Sequence, residues 1–133
     1  MITTGRRFQS KGSRQERREK RTADNIVFDS ILEKEAYLNT FKPLQVNGAI
    51  RALQYHPVFN FILKDPDGND VEVGSYEADY SCIWNHDNKV EVFDVKPWER
   101  DPKTGELHYV TGPDYVWQKK LMKVCFGIDV CEI

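Results

Sequence analysis

Asp94 and Lys96 stand two residues apart in Val90–Lys96 (Val-Glu-Val-Phe-Asp-Val-Lys), and Glu77 and Asp79 have the same spacing in Tyr76–Tyr80 (Tyr-Glu-Ala-Asp-Tyr). Side chains alternate along a strand, so each pair shares a face if its run is extended. A hairpin turn at Asn85-His86-Asp87-Asn88 can bring Glu77 or Asp79 across from Asp94. Two carboxylates and an amine then converge. Their repulsion is costly unless a hard cation with oxygen ligands offsets it, and Mg²⁺ is the natural candidate. Mg²⁺ there suits hydrolysis of a phosphodiester: it binds the scissile phosphate and acidifies a water, which Lys96 orients or deprotonates. The plainer alternative is an ordinary exposed Asp94–Lys96 pair on a strand.

These residues need elements to hold them. Asp29-Ser30 is a good N-cap for a helix over about 31–40, which Pro43 ends. After a connector with Gly48, the stretch from Ile50 to Leu53 leads to His56-Pro57, and extended runs are expected from Val58 to Leu63, at Val71–Val73, from Tyr76 to Trp84 and from Lys89 to Lys96. Asp65-Pro66-Asp67-Gly68-Asn69 is a turn between two of them. A polar loop spans 97–112. Pro113-Asp114 opens a second helix to about Val124, with Val116, Trp117, Leu121 and Val124 as its core side, and Gly127 stops it before a strand over 128–132. Helix, strands, helix, strand is the order of an α/β fold with a central mixed β-sheet flanked by α-helices.

The 133 residues, 40% hydrophobic and 30% charged, suit one soluble domain preceded by a tail. No apolar run approaches the roughly 18 residues that span a bilayer, and the start of the chain is basic rather than apolar. No membrane association and a cytoplasmic location are expected. Cys82, Cys125 and Cys131 show neither a disulfide framework nor a zinc knuckle and are expected to be reduced, buried thiols.

The net charge of −2 conceals an asymmetry. Arg6, Arg7, Lys11, Arg14, Arg17, Arg18, Lys20 and Arg21 are opposed within residues 1–22 only by Glu16 and Glu19, while acids outnumber bases in the rest. Residues 1–25 have no apolar periodicity and are expected to be a disordered basic arm that touches a polyanion; a merely solvated terminus is the alternative. Residues 26–133 form the domain.

Phe28-Asp29-Ser30 with Glu33, His56-Pro57 with Phe59, Ala78-Asp79-Tyr80 and Phe93-Asp94-Val95-Lys96 occur in an order that resembles the PD-(D/E)XK nuclease superfamily. More narrowly, the chain is similar to a phage-associated branch of uncharacterised nucleases and Holliday-junction-resolvase-like proteins. The closing pieces Thr111, Tyr115, Lys119, Lys120, Leu121, Gly127 and Ile128 fit the same pattern. The resemblance covers about residues 26–133 and implies a restriction-endonuclease-like core. It implies that Asp79, Asp94 and the Val95 carbonyl ligate Mg²⁺, with Mn²⁺ able to substitute, and that Lys96 serves the water. Glu33 completes the set from the first helix, with Glu35 as the alternative; a capping box from Ser30 to Glu33 is the competing role for Glu33. Pro97, where the family commonly has Gly, and the long loop after it depart from the pattern.

The function this implies is a Mg²⁺-dependent endonuclease acting on branched or structured DNA, in the host cytoplasm if phage-encoded. No small-molecule cofactor is expected, and two cuts at a junction call for a homodimer. A cleavage-inactive or partner-dependent nucleic-acid-binding protein of a phage or recombination complex is the alternative. Contacts to nucleic acid are expected from Arg6, Arg7, Lys11, Arg14, Arg17 and Arg18 of the arm and from Lys119 and Lys120, which can equally be the wet face of the second helix. Trp98, Arg100, Lys103 and His108 can stack on or pair with an opened strand, or form a solvated hairpin. The three histidines lack ligand spacing, and none is assigned to metal.

Overall fold

The computed structural model of the protein describes residues 13–109 and 112–133. The chain divides into two units, Met1–Lys42 and Pro43–Ile133.

In the first unit the Ser13 hydroxyl accepts the Glu16 N–H at 3.0 Å, while the Glu16 carboxylate accepts the Ser13 N–H at 3.3 Å. This capping box starts helix α1, Arg14–Lys20. Gln15 and Glu19 brace it through a hydrogen bond four residues apart, and basic residues in its last turn suit the helix dipole. The expected irregular arm is thus replaced, from Ser13 on, by regular structure that apolar periodicity does not announce. Arg6, Arg7 and Lys11 lie outside the described residues.

Strands β1 (Thr22–Ala23) and β2 (Ile26–Val27) follow as a tight antiparallel hairpin. Its turn residues, Asp24 and Asn25, both take positive φ (50° and 66°), which these two residue types tolerate best after glycine. The Asp24 carboxylate pairs with Lys42 at 2.8 Å and accepts the Tyr37 hydroxyl at 2.7 Å. The two contacts, Lys42 foremost, hold the Asp24 carboxyl below its ordinary pKa.

Ser30 caps helix α2, Ile31–Ala36, by accepting the Glu33 N–H at 3.1 Å. Pro43 does not end helical structure as expected. A π-helical turn, Tyr37–Phe41, intervenes, with the Lys42 N–H reaching back five residues to the Tyr37 carbonyl. Pro43 then falls in α3, Lys42–Val46, which continues the helical run directly after the wider π turn. The inward face of this run is aromatic with one acid. Phe28, Glu33, Tyr37 and Phe41 are buried, with the Phe28 and Tyr37 rings 5.3 Å apart, whereas Ile31 and Leu32 are exposed.

The second unit contains a four-stranded mixed sheet and two hairpins. β3 (Ile50–Tyr55) precedes the hairpin of β4 (Val58–Lys64) and β5 (Asp70–Glu77). Asp65 closes that hairpin by accepting the N–H groups of Asp67 and Asn69. β6 (Tyr80–Trp84) and β7 (Val90–Asp94) form the expected antiparallel pair, Tyr80 opposite Phe93. The long strand expected over Tyr76–Trp84 is therefore two strands, and the chain changes sheets at Ala78-Asp79.

The loop expected after Lys96 contains a hairpin of β8 (Trp98–Arg100) and β9 (Leu107–Tyr109). Helix α4, Tyr115–Phe126, ends at Gly127, whose φ of 69° gives a left-handed cap, and β10 (Cys131–Glu132) pairs parallel to β7. The sheet order is β10-β7-β6-β3, with the outer pair parallel and the rest antiparallel, so the fold is α/β with a central mixed sheet.

Phe61, Tyr76, Ala78, Val92, Tyr115, Met122 and Val130 make the core of this unit. Helix α4 turns a different face inward than expected: Tyr115 and Met122 are buried and Leu121 partly so, while Val116, Trp117 and Val124 are exposed. The cause is the sheet beneath it, which receives the Tyr115 ring beside Tyr76 (ring centroids 6.2 Å apart). Of the thiols only Cys82 is fully buried. No helix among the described residues is long and apolar enough to cross a membrane.

Candidate active site

Asp79 sits at the corner where the chain leaves β5 and enters β6. Its backbone is held on both sides: its N–H donates to the Phe93 carbonyl at 3.1 Å, and its carbonyl accepts the His56 N–H at 3.0 Å. Continuing the β6–β7 register sets Asp79 opposite Asp94. The Asp79 side chain does more than face that strand. Its Oδ2 accepts the Val95 N–H at 2.6 Å, taking the place of a strand carbonyl. A residue's N–H and C=O leave a strand on the same edge, so the Val95 carbonyl is directed toward the Asp79 side. The other edge of this segment is occupied, since the Lys96 N–H donates to Ile133 and the Asp94 carbonyl accepts from Ile133.

Asp94 is buried, and its Oδ2 receives two donors: the Tyr76 hydroxyl at 2.7 Å and the Lys96 ammonium at 3.1 Å. Among the described residues no donor reaches Oδ1. Burial, then the Asp94 carboxylate, pushes the Tyr76 hydroxyl far above its ordinary pKa, so it stays a donor throughout the physiological range. The Asp94 and Lys96 side chains are 12% and 11% exposed, unlike an ordinary surface pair.

The Lys96 ammonium lies 3.6 Å from the centre of the Tyr115 ring, a cation–π contact in addition to its carboxylate. Tyr115 is anchored in turn, its hydroxyl donating to Glu132 at 3.0 Å, and the same Glu132 oxygen pairs with Lys119 at 2.7 Å. Lys119 first, and Tyr115 after it, hold the Glu132 carboxyl below its ordinary pKa, while burial raises the Tyr115 hydroxyl. Tyr76, Glu77, Asp94, Lys96, Tyr115 and Gln118 share the lining of one open recess of about 370 Å³.

One residue that sequence reasoning passed over belongs beside this group. His56, in a left-handed conformation just before β4, places Nδ1 3.0 Å from Glu77 and Nε2 3.9 Å from Asp79. A search for ligand spacing misses it, because its partners lie more than twenty residues away across the β4–β5 hairpin. The motif His56-Pro57 was the available signal.

The remaining candidates divide. Glu33, in the first unit, is buried and accepts the Ser30 hydroxyl at 2.9 Å, whereas Glu35 is exposed. Lys119 is engaged by Glu132, and Lys120 lies 4.9 Å from the centre of the Trp117 ring, so the two are not equivalent wet-face lysines. In the β8–β9 hairpin the Arg100 guanidinium donates to the Gly105 carbonyl, while Lys103 and His108 are exposed. Arg14, Arg17 and Arg18 are exposed on α1. Thr111 lies outside the described residues.

The donor set suits a hard divalent cation: two carboxylates from adjacent strands, one of them with an oxygen no described donor reaches, and a backbone carbonyl on the same edge. No curated protein and no solved structure matches the chain. A family match does exist, over residues 13–104, a span that holds Glu33, His56, Asp79, Asp94 and Lys96. By that match the chain belongs to the family described as "Protein of unknown function (DUF1064)".

Proposed function

We propose that the protein is a Mg²⁺-dependent deoxyribonuclease that hydrolyses DNA phosphodiester bonds, with branched or structured DNA as its substrate in the manner of Holliday-junction resolvases. The observation that carries the reading is the juxtaposition of Asp79, Asp94 and Lys96 at the end of the β6–β7 hairpin opposite its turn. It supports the resemblance to the PD-(D/E)XK nucleases and a restriction-endonuclease-like core.

Asp79, Asp94 and the Val95 carbonyl would hold Mg²⁺, or Mn²⁺ in its place, and Glu33 is the acid the first helix offers. Such an ion supplies Lewis acidity at the phosphate and a more acidic water. The chain supplies the rest. Lys96, held by Asp94 and the Tyr115 ring, presents its ammonium at the recess, where it orients the attacking water and takes part in moving its proton. Tyr76 holds Asp94 in place from the interior. Cutting both strands of a junction calls for two such sites and hence a homodimer.

A second reading, a nucleic-acid-binding protein that does not cleave or cleaves only with a partner, is favoured by the Ser30–Glu33 hydrogen bond, in which the Glu33 carboxylate holds the hydroxyl of the Ser30 cap. The two readings separate in one experiment. Labelled four-way junction, flap, single-stranded and linear duplex DNA are incubated with Mg²⁺ and wild type, Asp94→Asn or Lys96→Ala. Metal-dependent cutting of the junction that both variants abolish, with binding retained, supports the nuclease. No cutting of any substrate, with binding unaffected by either variant, overturns it in favour of the second reading.

A further inference from the structure

Helix α1 carries Arg14, Arg17 and Arg18, and Arg21 caps its end, at spacings of three and four residues that stack all four guanidinium stems on one face. In most short helices that stripe is apolar and faces the core. Here its neighbours along the helix are like charges, which repel one another. The acids of the helix are committed elsewhere: Glu16 to the Ser13 cap and Glu19 to Gln15. Among the described residues no side chain pairs with Arg14 or Arg18.

Arg14, Arg17, Lys20 and Arg21 line a recess of about 400 Å³ whose only other wall residue among those described is Ile31, so four cations converge there with no carboxylate in the lining. The Arg21 Nε is the one buried side-chain nitrogen or oxygen among the described residues that lacks a hydrogen-bond partner, although its Nη1 donates to the Asp29 carbonyl. Arg21 as a whole is only half-buried, so a guanidinium with hydrogen-bonding capacity to spare stands beside a cationic recess.

We infer that this arginine face is a preformed cradle for the sugar–phosphate backbone of a nucleic acid. Arginine forks match phosphate oxygens, and a row of regularly spaced cations suits a ligand whose charges repeat. At 1.5 Å per residue, Arg14 to Arg21 spans about 10 Å, the rise of about three nucleotides of one strand. The contact is to backbone and therefore indifferent to base sequence. The inference rests on the nucleic-acid part of the function proposed above and is independent of whether the strand is cut.

The test is binding of the full chain, in EDTA, to fluorescein-labelled duplex DNA, single-stranded DNA and RNA, measured by anisotropy across a salt series. In Arg14→Gln/Arg18→Gln the expected result is about tenfold weaker binding to at least one of these and a salt slope flatter by up to about two. Arg14→Lys/Arg18→Lys, which keeps the charge, stays within about threefold of wild type, and circular dichroism verifies that α1 and the rest remain folded. Lys64→Gln/Lys89→Gln removes the same charge from exposed positions of the other unit as a control. Equal affinity and slope in wild type and the glutamine pair, or an equal loss in the lysine control, overturns the cradle. Because metal is absent, failure of cleavage leaves this outcome untouched.

Discussion

Tyr76 and Asp94, eighteen residues apart and on strands of different sheets, are joined by a 2.7 Å hydrogen bond from the buried hydroxyl to the buried carboxylate. The bond ties the β4–β5 hairpin to the strand that carries the candidate chemistry. Tyr76→Phe keeps the ring and deletes the donor. Urea denaturation should show a loss of about 1.5–3 kcal/mol, the range for a hydrogen bond to a charged group. Under the nuclease reading, Mg²⁺-dependent cleavage should fall about 10–100-fold, as when a supporting partner of a metal ligand is lost. Unchanged stability and cleavage together would show that Asp94 needs no such support.

The rotation of helix α4 is checked by a pair of alanine substitutions on it. Met122 is fully buried in the core and Trp117 is 66% exposed. Met122→Ala should cost about 2–5 kcal/mol through lost burial and the cavity left behind. Trp117→Ala, despite deleting a larger side chain, should stay within about 0.5 kcal/mol of wild type. A larger loss at Trp117 than at Met122 would restore the face expected from sequence.

Glu132 supplies a pH dependence whose sign is set by its neighbours. Its folded carboxyl titrates below the ordinary value because Lys119, and secondarily Tyr115, favour the charged form. Its contribution to stability is therefore fully present above the unfolded pKa of about 4.3 and is lost as pH falls through the lower folded value. Glu132→Gln should be less stable than wild type at pH 7, and the difference should shrink steadily below about pH 4. Denaturant titrations at several pH values measure it; a gap that widens on acidification would refute the assignment.

The three thiols should differ in reactivity. Burial, with Glu91 nearby, pushes Cys82 up to about 11, and its side chain is almost fully enclosed. Burial also raises Cys131, which is only partly enclosed, as is Cys125. Iodoacetamide at about pH 8 should alkylate Cys125 and Cys131 in the native protein and Cys82 only after denaturation. Peptide mass spectrometry reads the order directly, and early labelling of Cys82 would contradict its burial.

What could be read from the sequence was what short range decides. The β6–β7 hairpin, the Asp65 turn, the Ser30 cap and the stop at Gly127 each follow from residues within a few positions of one another, and each is found. The Asp-x-Lys spacing was legible for the same reason, since alternation along one strand places Asp94 and Lys96 together. Misreadings occur where distant packing decides. Which side of α4 is inward depends on Tyr76 beneath it, and the break at Ala78-Asp79 depends on β3 and β7 claiming the strand that follows. His56 was passed over because its carboxylate partners are neighbours only after the β4–β5 hairpin has folded back. Helix α1 escaped notice because its stripe is written in arginine rather than in leucine.

The pairing of Ile133 with the backbone of Asp94 and Lys96 also bears on the order of folding. The β6–β7 hairpin is local and can close on the microsecond scale, with Asp79 and Asp94 already opposed. Its second edge is closed only by a parallel strand on the far side of the β8–β9 hairpin and the whole of α4, and connections of that length close more slowly. Lys96 and the Tyr115 ring under its ammonium come to rest in that last step, as does Glu132. A population that has regained most of its sheet signal should therefore still lack an assembled lysine, and any activity should return after secondary structure rather than with it.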